Sequence, residues 1–387
     1  MEAIVIGGGI GGLCAAIGLR RRGWRVSVLE RVPEFREVGA GITLMANGLR
    51  GLDALGVGDA VRGAGSADAA GGTRTPSGRW ISRIDGAALT AVLGTAAIGI
   101  HRAALHEVLR AALPAESLVT GAEVLDVSTG VTYRHRGVTV TRDAALVIGA
   151  DGIDSTVRAR LWPAHPAPVY SGSTAWRGVT ARPWDGERVA AITWGPGAEF
   201  GMVPLGDGRV YWYGAVNAPA GLRVDDELAA MRARFGGWHA PVSDLLDATD
   251  PAAVIRTDLR HLAAPLSSYA ADNVALLGDA AHAMLPNLGQ GANQAIEDAA
   301  VLASVCAPGE DVEASLRKYD RLRRPRSQQV ARAAAQICRF GQQLTNPVAI
   351  ALRDTLMRLT PARVALRSMA RYASWDAPDI PRAAGTD

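Results

Sequence analysis

The chain has 387 residues, 48% of them hydrophobic and 20% charged, and a formal net charge of +3. That length suits two domains with an appendage, and the composition is that of a globular protein with a large core. The small charge and the lack of a cationic run exclude a nucleic-acid partner, and Cys14, Cys306 and Cys338, odd in number and far apart, predict reduced thiols and no metal site.

The opening MEAIVIGGG lacks a cationic n-region and a cleavage site, and no apolar run is long enough to span a bilayer. The expectation is a cytoplasmic protein with no membrane partner. EAIVIGG at 2–8 reads as an apolar strand running into GGGIGG at 7–12, which sets Gly7, Gly9 and Gly12 in GxGxxG spacing, with Gly11 inside it. LCAAIGLRRRG at 13–23 has helical spacing and a glycine stop, and WRVSVLE at 24–30 alternates as a second strand ending in Glu30. Gly7 permits a tight turn, Gly9 lets a pyrophosphate approach the backbone, and Gly12 lets helix and strand pack closely. Glu30 can accept from a ribose hydroxyl pair and would repel a 2′-phosphate, which argues for the adenosine of FAD or NAD at this site.

IHRAALHEVLRAAL at 100–113 places Arg102 at the start of a helix. ALVIGADGIDSTVR at 145–158 is a buried strand followed by Asp151-Gly152, where Asp151 is either a turn residue or a support for a nucleotide loop. From about 171 to 216 the pattern becomes strands separated by Gly, Pro and Asp turns, a meander suited to roofing a pocket. Alternation puts Tyr211 and Tyr213 on one face and Trp212 on the other. DDELAAMRARFGGW at 225–238 reads as an amphipathic helix. VALLGDAAHAMLPNLGQG at 274–291 is another buried strand ending in Gly278-Asp279; a carboxylate there is solvated, caps a helix or holds a ligand. His282 is a local hydrogen-bonding residue rather than a triad member, because no GxSxG elbow accompanies it. A helix opens from Asn293, further helices are expected over about 310–340 and 347–372, and the last residues form a loose tail.

The glycine motif with its acid, the two strand-end aspartates and the PNLGQG turn together resemble the single-component FAD-dependent hydroxylases of the p-hydroxybenzoate hydroxylase type. The resemblance covers most of the chain and weakens after about Gln342. It implies an α/β fold: a Rossmann-like FAD-binding domain (1–70, 98–165 and 268–340), an inserted β-sheet substrate domain (71–97 and 166–267), and a C-terminal helical segment and tail (341–387). It implies FAD as cofactor, with NADPH or NADH as transient co-substrate. Implied cofactor-binding residues are Gly7, Gly9, Gly11, Gly12, Glu30, Arg31, Arg36, Arg102, Asp151, Asp279, Gly289, Gly291 and Ala292. Among them Asp279 grips the ribityl chain, Arg102 lies near the phosphates or that chain, and Arg36 is a phosphate-binding candidate or a solvated surface residue. The loop Pro286–Gly291 and the helix it opens would face the flavin N1–C2=O2 edge and favour the anionic reduced form.

FREVGAGITLMANG at 35–48 resembles the loop passing the flavin in the salicylate-hydroxylase branch, although relatives often have proline at Ala46. That branch often has a pocket histidine where this chain has Met202, two residues before Pro204. Arg177, Met202, Pro204, Tyr211, Tyr213 and Pro286 are the pocket candidates; no catalytic side chain is named. The implied activity is NAD(P)H- and O2-dependent hydroxylation of an aromatic, polyketide-like or other electron-rich small molecule through a flavin C4a-hydroperoxide. Alternatives are a flavin dehydrogenase or reductase on the same fold and a non-catalytic flavoprotein that binds an intermediate. The absence of a second GxGxxG unit suggests that NAD(P)H has no domain of its own. The chain is expected to be a monomer or homodimer.

Overall fold

The structure, a computed structural model, describes residues 1–35, 40–67 and 70–383. A six-stranded sheet runs in the order Ala270–Ala271, Val274–Leu276, Leu146–Gly149, Glu2–Ile6, Arg25–Glu30, Leu118–Thr120. All neighbours are parallel except the short outer pair. EAIVI and LVIG are continuous apolar runs because both strands are central and covered on both faces. Helix Ile10–Arg21 is buried around most of its circumference, packed between this sheet and helix Gly291–Val305. A Cβ on Gly18 would stand 2.7 Å from the Ala303 side chain and 2.8 Å from that of Leu55, so the helices meet more closely than a larger residue would allow.

Strand register decides what comes together. Ile6 lies beside both Gly149 and Leu29, and Gly149 lies beside Leu276. The chain therefore leaves the sheet along one edge at Gly7, Glu30, Ala150 and Leu277. Those exits carry the glycine loop, the acid, the Asp-Gly turn and the Gly-Asp turn. The carboxyl ends of parallel strands are where ligands bind in such sheets.

A second, seven-stranded sheet has the order Ile255–His261, Val169–Val179, Val210–Asn217, Ala198–Pro204, Ala191–Gly195, Ala70–Arg74, Trp80–Asp85. Ala70–Arg74 and Trp80–Asp85 come from early in the chain; Ala70–Arg74 joins Ala191–Gly195 in parallel, and the other pairs are antiparallel. One face buries Trp176, Phe200, Met202 and Trp212 beneath helices Glu227–Phe235 and Val242–Asp247. Phe200 and Trp212 stack there with ring centroids 5.6 Å apart. The opposite face turns toward the first sheet: Ala175 and Ala215 pack with Leu285 and Cys338. Strand Gly41–Leu44 pairs with Ile98–His101, which also pairs with Ser66–Ala67.

Three features depart from the sequence reading. Ala122–Asp126, Val131–His135 and Val138–Arg142 form an antiparallel sheet that no turn signal was used to anticipate. The expected helix at 225–238 ends at Phe235, and a further helix, Val242–Asp247, follows it. The expected helix at 347–372 is two, Pro347–Leu359 and Ala362–Ala373, because Thr360 precedes Pro361 and is pushed to ψ 121. Among the described residues no helix is long and apolar enough to cross a membrane.

Candidate active site

The glycine loop divides its labour. Gly7 has φ +106, and a Cβ there would lie 2.3 Å from Ala150 O. A Cβ on Gly12 would lie 1.9 Å from Gly7 O, so this position excludes any side chain. A Cβ on Gly9 would meet nothing within 4 Å, which leaves the backbone open to approach. Helix Ile10–Arg21 begins without a side-chain cap or a first-turn acid, so its first N–H groups stay available to an anion. Glu30 Oε2 accepts from Gly8 N at 2.7 Å and Oε1 from Val32 N at 3.0 Å. His106 Nε2 donates to Gly8 O at 2.7 Å. Arg31 and Arg102 are exposed near this loop, and Arg102 N donates to Ala40 O at 2.9 Å. Arg36 lies outside the described residues.

The two strand-end aspartates differ. Asp151 is held in its own turn: Ser155 Oγ donates to Oδ1 at 2.6 Å and Val157 N to Oδ2 at 3.1 Å. Burial raises its pKa, against the pull of these bonds. Asp279 opens helix Asp279–His282, is exposed, and makes no hydrogen bond or ion pair among the described residues. Arg158 joins the two turns by donating to Ala280 O at 2.9 Å and to Ile153 O. Gly278 has φ +59, a conformation that favours glycine, and its N–H donates to Asp298 Oδ2 at 2.9 Å. His282 does bond locally, to the same Asp298 oxygen at 2.6 Å. Burial works against the Asp298 carboxylate, but contacts with His282 and Arg323 outweigh it and hold its pKa at about 2.

That support was missed from sequence. Arg323 is 1% exposed and donates to Asp298 at 2.7 Å and also to Glu297; Arg326 joins Glu297 at 2.6 Å. The available signal was the Glu297-Asp298 pair inside an otherwise uncharged helix, since adjacent buried acids require cations.

The Pro286–Gly291 loop lies against the 41–48 segment. Gly289 has φ +61, and a Cβ on Gly291 would meet nothing within 4 Å. Helix Gly291–Val305, which includes Ala292 in its first turn, also begins without a side-chain cap or an early acid. Buried Asn293 fixes both segments: Oδ1 accepts from Met45 N at 2.9 Å, and Nδ2 donates to Thr43 O at 3.2 Å and Gly289 O at 2.8 Å. Asn47 Nδ2 adds a bond to Gln290 Oε1 at 2.8 Å.

Over this floor stands the seven-stranded sheet. Tyr211 and Tyr213 share the face turned toward Gly41, with ring centroids 6.2 Å apart. Their rings lie over glycines: a Cβ on Gly41 would be 2.5 Å from Tyr211, and one on Gly201 would be 2.1 Å from Tyr213. Arg177 is on this face too, hydrogen-bonded to Thr257 Oγ1 and to Tyr211. Pro286 is exposed at the loop start. Met202 is not with them. It packs in the opposite core with Phe200 and Trp212, and alternation sends Pro204 to the same side, so grouping these two with the tyrosines is corrected. In their place the structure brings up Glu199 and Gly201, which sequence reasoning passed over. Trp176 and Trp212 are core residues.

A parallel sheet with an open glycine loop, an exposed strand-end aspartate and a second sheet roofing the same edge defines a flavin-binding oxidoreductase. Residues 1–334 match the FAD binding domain family. Aurachin C monooxygenase/isomerase of Stigmatella aurantiaca is 37% identical over 93% of this chain and 94% of that protein. FAD-dependent urate hydroxylase of Klebsiella pneumoniae is 34% identical over 87% of this chain and 90% of that protein. The structure of Klebsiella pneumoniae HpxO with FAD and uric acid superposes with TM-score 0.88 at 29% identity, covering 96% of each chain. The chain belongs to the FAD-binding-domain family, and it is an FAD-dependent monooxygenase of the class A, aromatic-hydroxylase type.

Proposed function

We propose that this chain hydroxylates a neutral, electron-rich aromatic or heteroaromatic molecule held between the tyrosine face of the seven-stranded sheet and the Pro286–Gly291 loop. The observation that carries this reading is the convergence of Tyr211, Tyr213 and Gly201 from the sheet on the loops tied by Asn293. Two relatives support the aromatic class by name, 3-amino-4-hydroxybenzoate 2-monooxygenase of Streptomyces cremeus and 2-heptyl-3-hydroxy-4(1H)-quinolone synthase of Pseudomonas aeruginosa, and of these the quinolone-forming one supports a neutral ring.

The residues present fit FAD. Two helix starts offer uncapped N–H groups beside glycines with open approach, at Gly9 and Gly291, and Asp279 presents an exposed carboxylate with no hydrogen bond among the described residues. In this reading Gly7–Gly12 hold the pyrophosphate, Glu30 the adenosine ribose, Arg102 the phosphates, and Asp279 the ribityl hydroxyls. Asp151 serves through its turn, which Arg158 fastens to the Asp279 segment. Bound FAD supplies the redox chemistry, taking electrons from NAD(P)H and activating O2. The protein would supply placement: Gly289–Ala292 would offer N–H groups and a helix start to the bound ring, and the sheet would shut out water. In the same reading residues 71–97 and 166–267 serve as the substrate-carrying unit.

The test is a screen of phenols, quinolones and polyketides for acceleration of flavin reduction by NADH and NADPH, followed by mass spectrometry. A product heavier by one oxygen is expected. Substrate-stimulated NAD(P)H oxidation that proceeds without oxygen and adds none would favour the dehydrogenase alternative.

A further inference from the structure

We propose that Glu199 and Asn287 form an acceptor pair that selects substrates carrying an N–H or O–H donor and turns away carboxylates. The inference rests on the hydroxylase reading and names the substrate class for the same site.

Glu199 is 2% exposed, and no arginine or lysine pairs with it among the described residues. Its contacts are neutral N–H donors: Trp194 Nε1 at 3.1 Å and Asn287 Nδ2 at 3.3 Å. A carboxylate offers about four lone-pair sites, so these two donors leave acceptor capacity. Asn287 adds more. With its amide nitrogen committed to Glu199, Oδ1 is buried and has no partner among the described residues. An amide oxygen left without a donor is costly, and a ligand donor relieves it.

The pair spans the two walls of the site. Glu199 comes from strand Ala198–Pro204, and alternation places it with Gly201 on the tyrosine face. Asn287 comes from the loop that turns toward Gly289 and Gly291. The other titratable neighbours of Glu199 are Tyr213 and Cys338, neither of which brings positive charge. Arg177, the cation on this face, is committed to Thr257 and Tyr211. Two acceptors and, among the described residues, no free cation at this end of the face match a lactam N–H or a phenolic O–H. They oppose a benzoate-type carboxylate by an unpaired acceptor and, where Glu199 is ionised, by like charge.

Holoenzyme is titrated at about pH 8.5, where Glu199 is ionised, with 4(1H)-quinolone, its 1-methyl analogue and salicylate, with binding read from the flavin absorbance change. Wild type is expected to bind the N–H quinolone at least about tenfold more tightly than the 1-methyl compound, and salicylate more weakly than either. Glu199→Ala, or the near-isosteric Glu199→Gln should alanine not fold, is expected to narrow the N–H preference several-fold by weakening the N–H ligand alone. Equal affinity for the two quinolones in wild type, equal losses for both in the variant, or tightest binding of salicylate overturns the proposal. Product analysis separates the two claims. Oxygenation of the 1-methyl compound as readily as its parent sinks the acceptor pair only, whereas a clear N–H preference with no oxygenated product from any probe sinks the hydroxylase reading only.

Discussion

Glu199 makes a prediction about stability that is independent of its ligand. Burial disfavours its charge, and its pKa is pushed up from 4.5 to about 7. A displacement of that size corresponds to about 3 kcal/mol. Below pH 4.5 the group is protonated in both folded and unfolded chains, and it contributes no penalty. Between 4.5 and 7 the unfolded chain releases the proton while the folded one keeps it, so stability falls as pH rises. Above 7 the penalty is constant. Glu199→Gln removes this term while keeping an amide that Asn287 can meet with its own oxygen. Urea unfolding of both holoproteins at equal excess FAD, followed by circular dichroism, isolates the term as the difference between them. That difference should shift in favour of the variant by about 2–3 kcal/mol between pH 4.5 and pH 8.5. The groups around the carboxylate are Trp194, Asn287, Tyr213 and Cys338; the tyrosine and the cysteine are themselves pushed upward by burial, so neither titrates in this window. A stability difference that is the same at both pH values would refute the reasoning.

Asp279→Ala should weaken FAD binding about 10- to 100-fold by removing charge-assisted hydrogen bonds, measured by fluorescence titration of apoprotein; retention equal to wild type would show that Asp279 does not hold the cofactor. Arg323→Ala leaves Glu297 and Asp298 buried without their main cation, and should cost about 3–5 kcal/mol in denaturant unfolding. A loss below about 1 kcal/mol would mean that Arg326 and His282 suffice. Gly12→Ala puts a Cβ where Gly7 O stands 1.9 Å away, so FAD should be lost while far-ultraviolet circular dichroism stays near wild type; a variant that keeps its colour would contradict the close packing described for the loop.

The FAD-side architecture could be read from sequence because it rests on local rules. The positions of Gly7, Gly12, Glu30 and Asp279 follow from strand-turn-helix signals, and parallel register then aligns their exits. The Tyr211/Trp212/Tyr213 alternation was equally local, but which face meets the floor depends on helices at 227–247 that cover the other side. Met202 and Pro204 stand opposite Trp212 and Val210 in register, so they take the side beneath those helices and not the tyrosine side. Glu199 and Asn287 are 88 residues apart in the chain, so no spacing rule connects them. The Arg323 network was hidden similarly, since its two acids lie on one helix and its two arginines on another.

Asn293 fastens Met45, Thr43 and Gly289 with a single amide. The two floor segments consequently behave as one rigid platform, and neither can yield to a new molecule without dragging the other. Adaptation to a different compound is therefore cheapest overhead, where the Tyr213 ring rests on the bare Gly201.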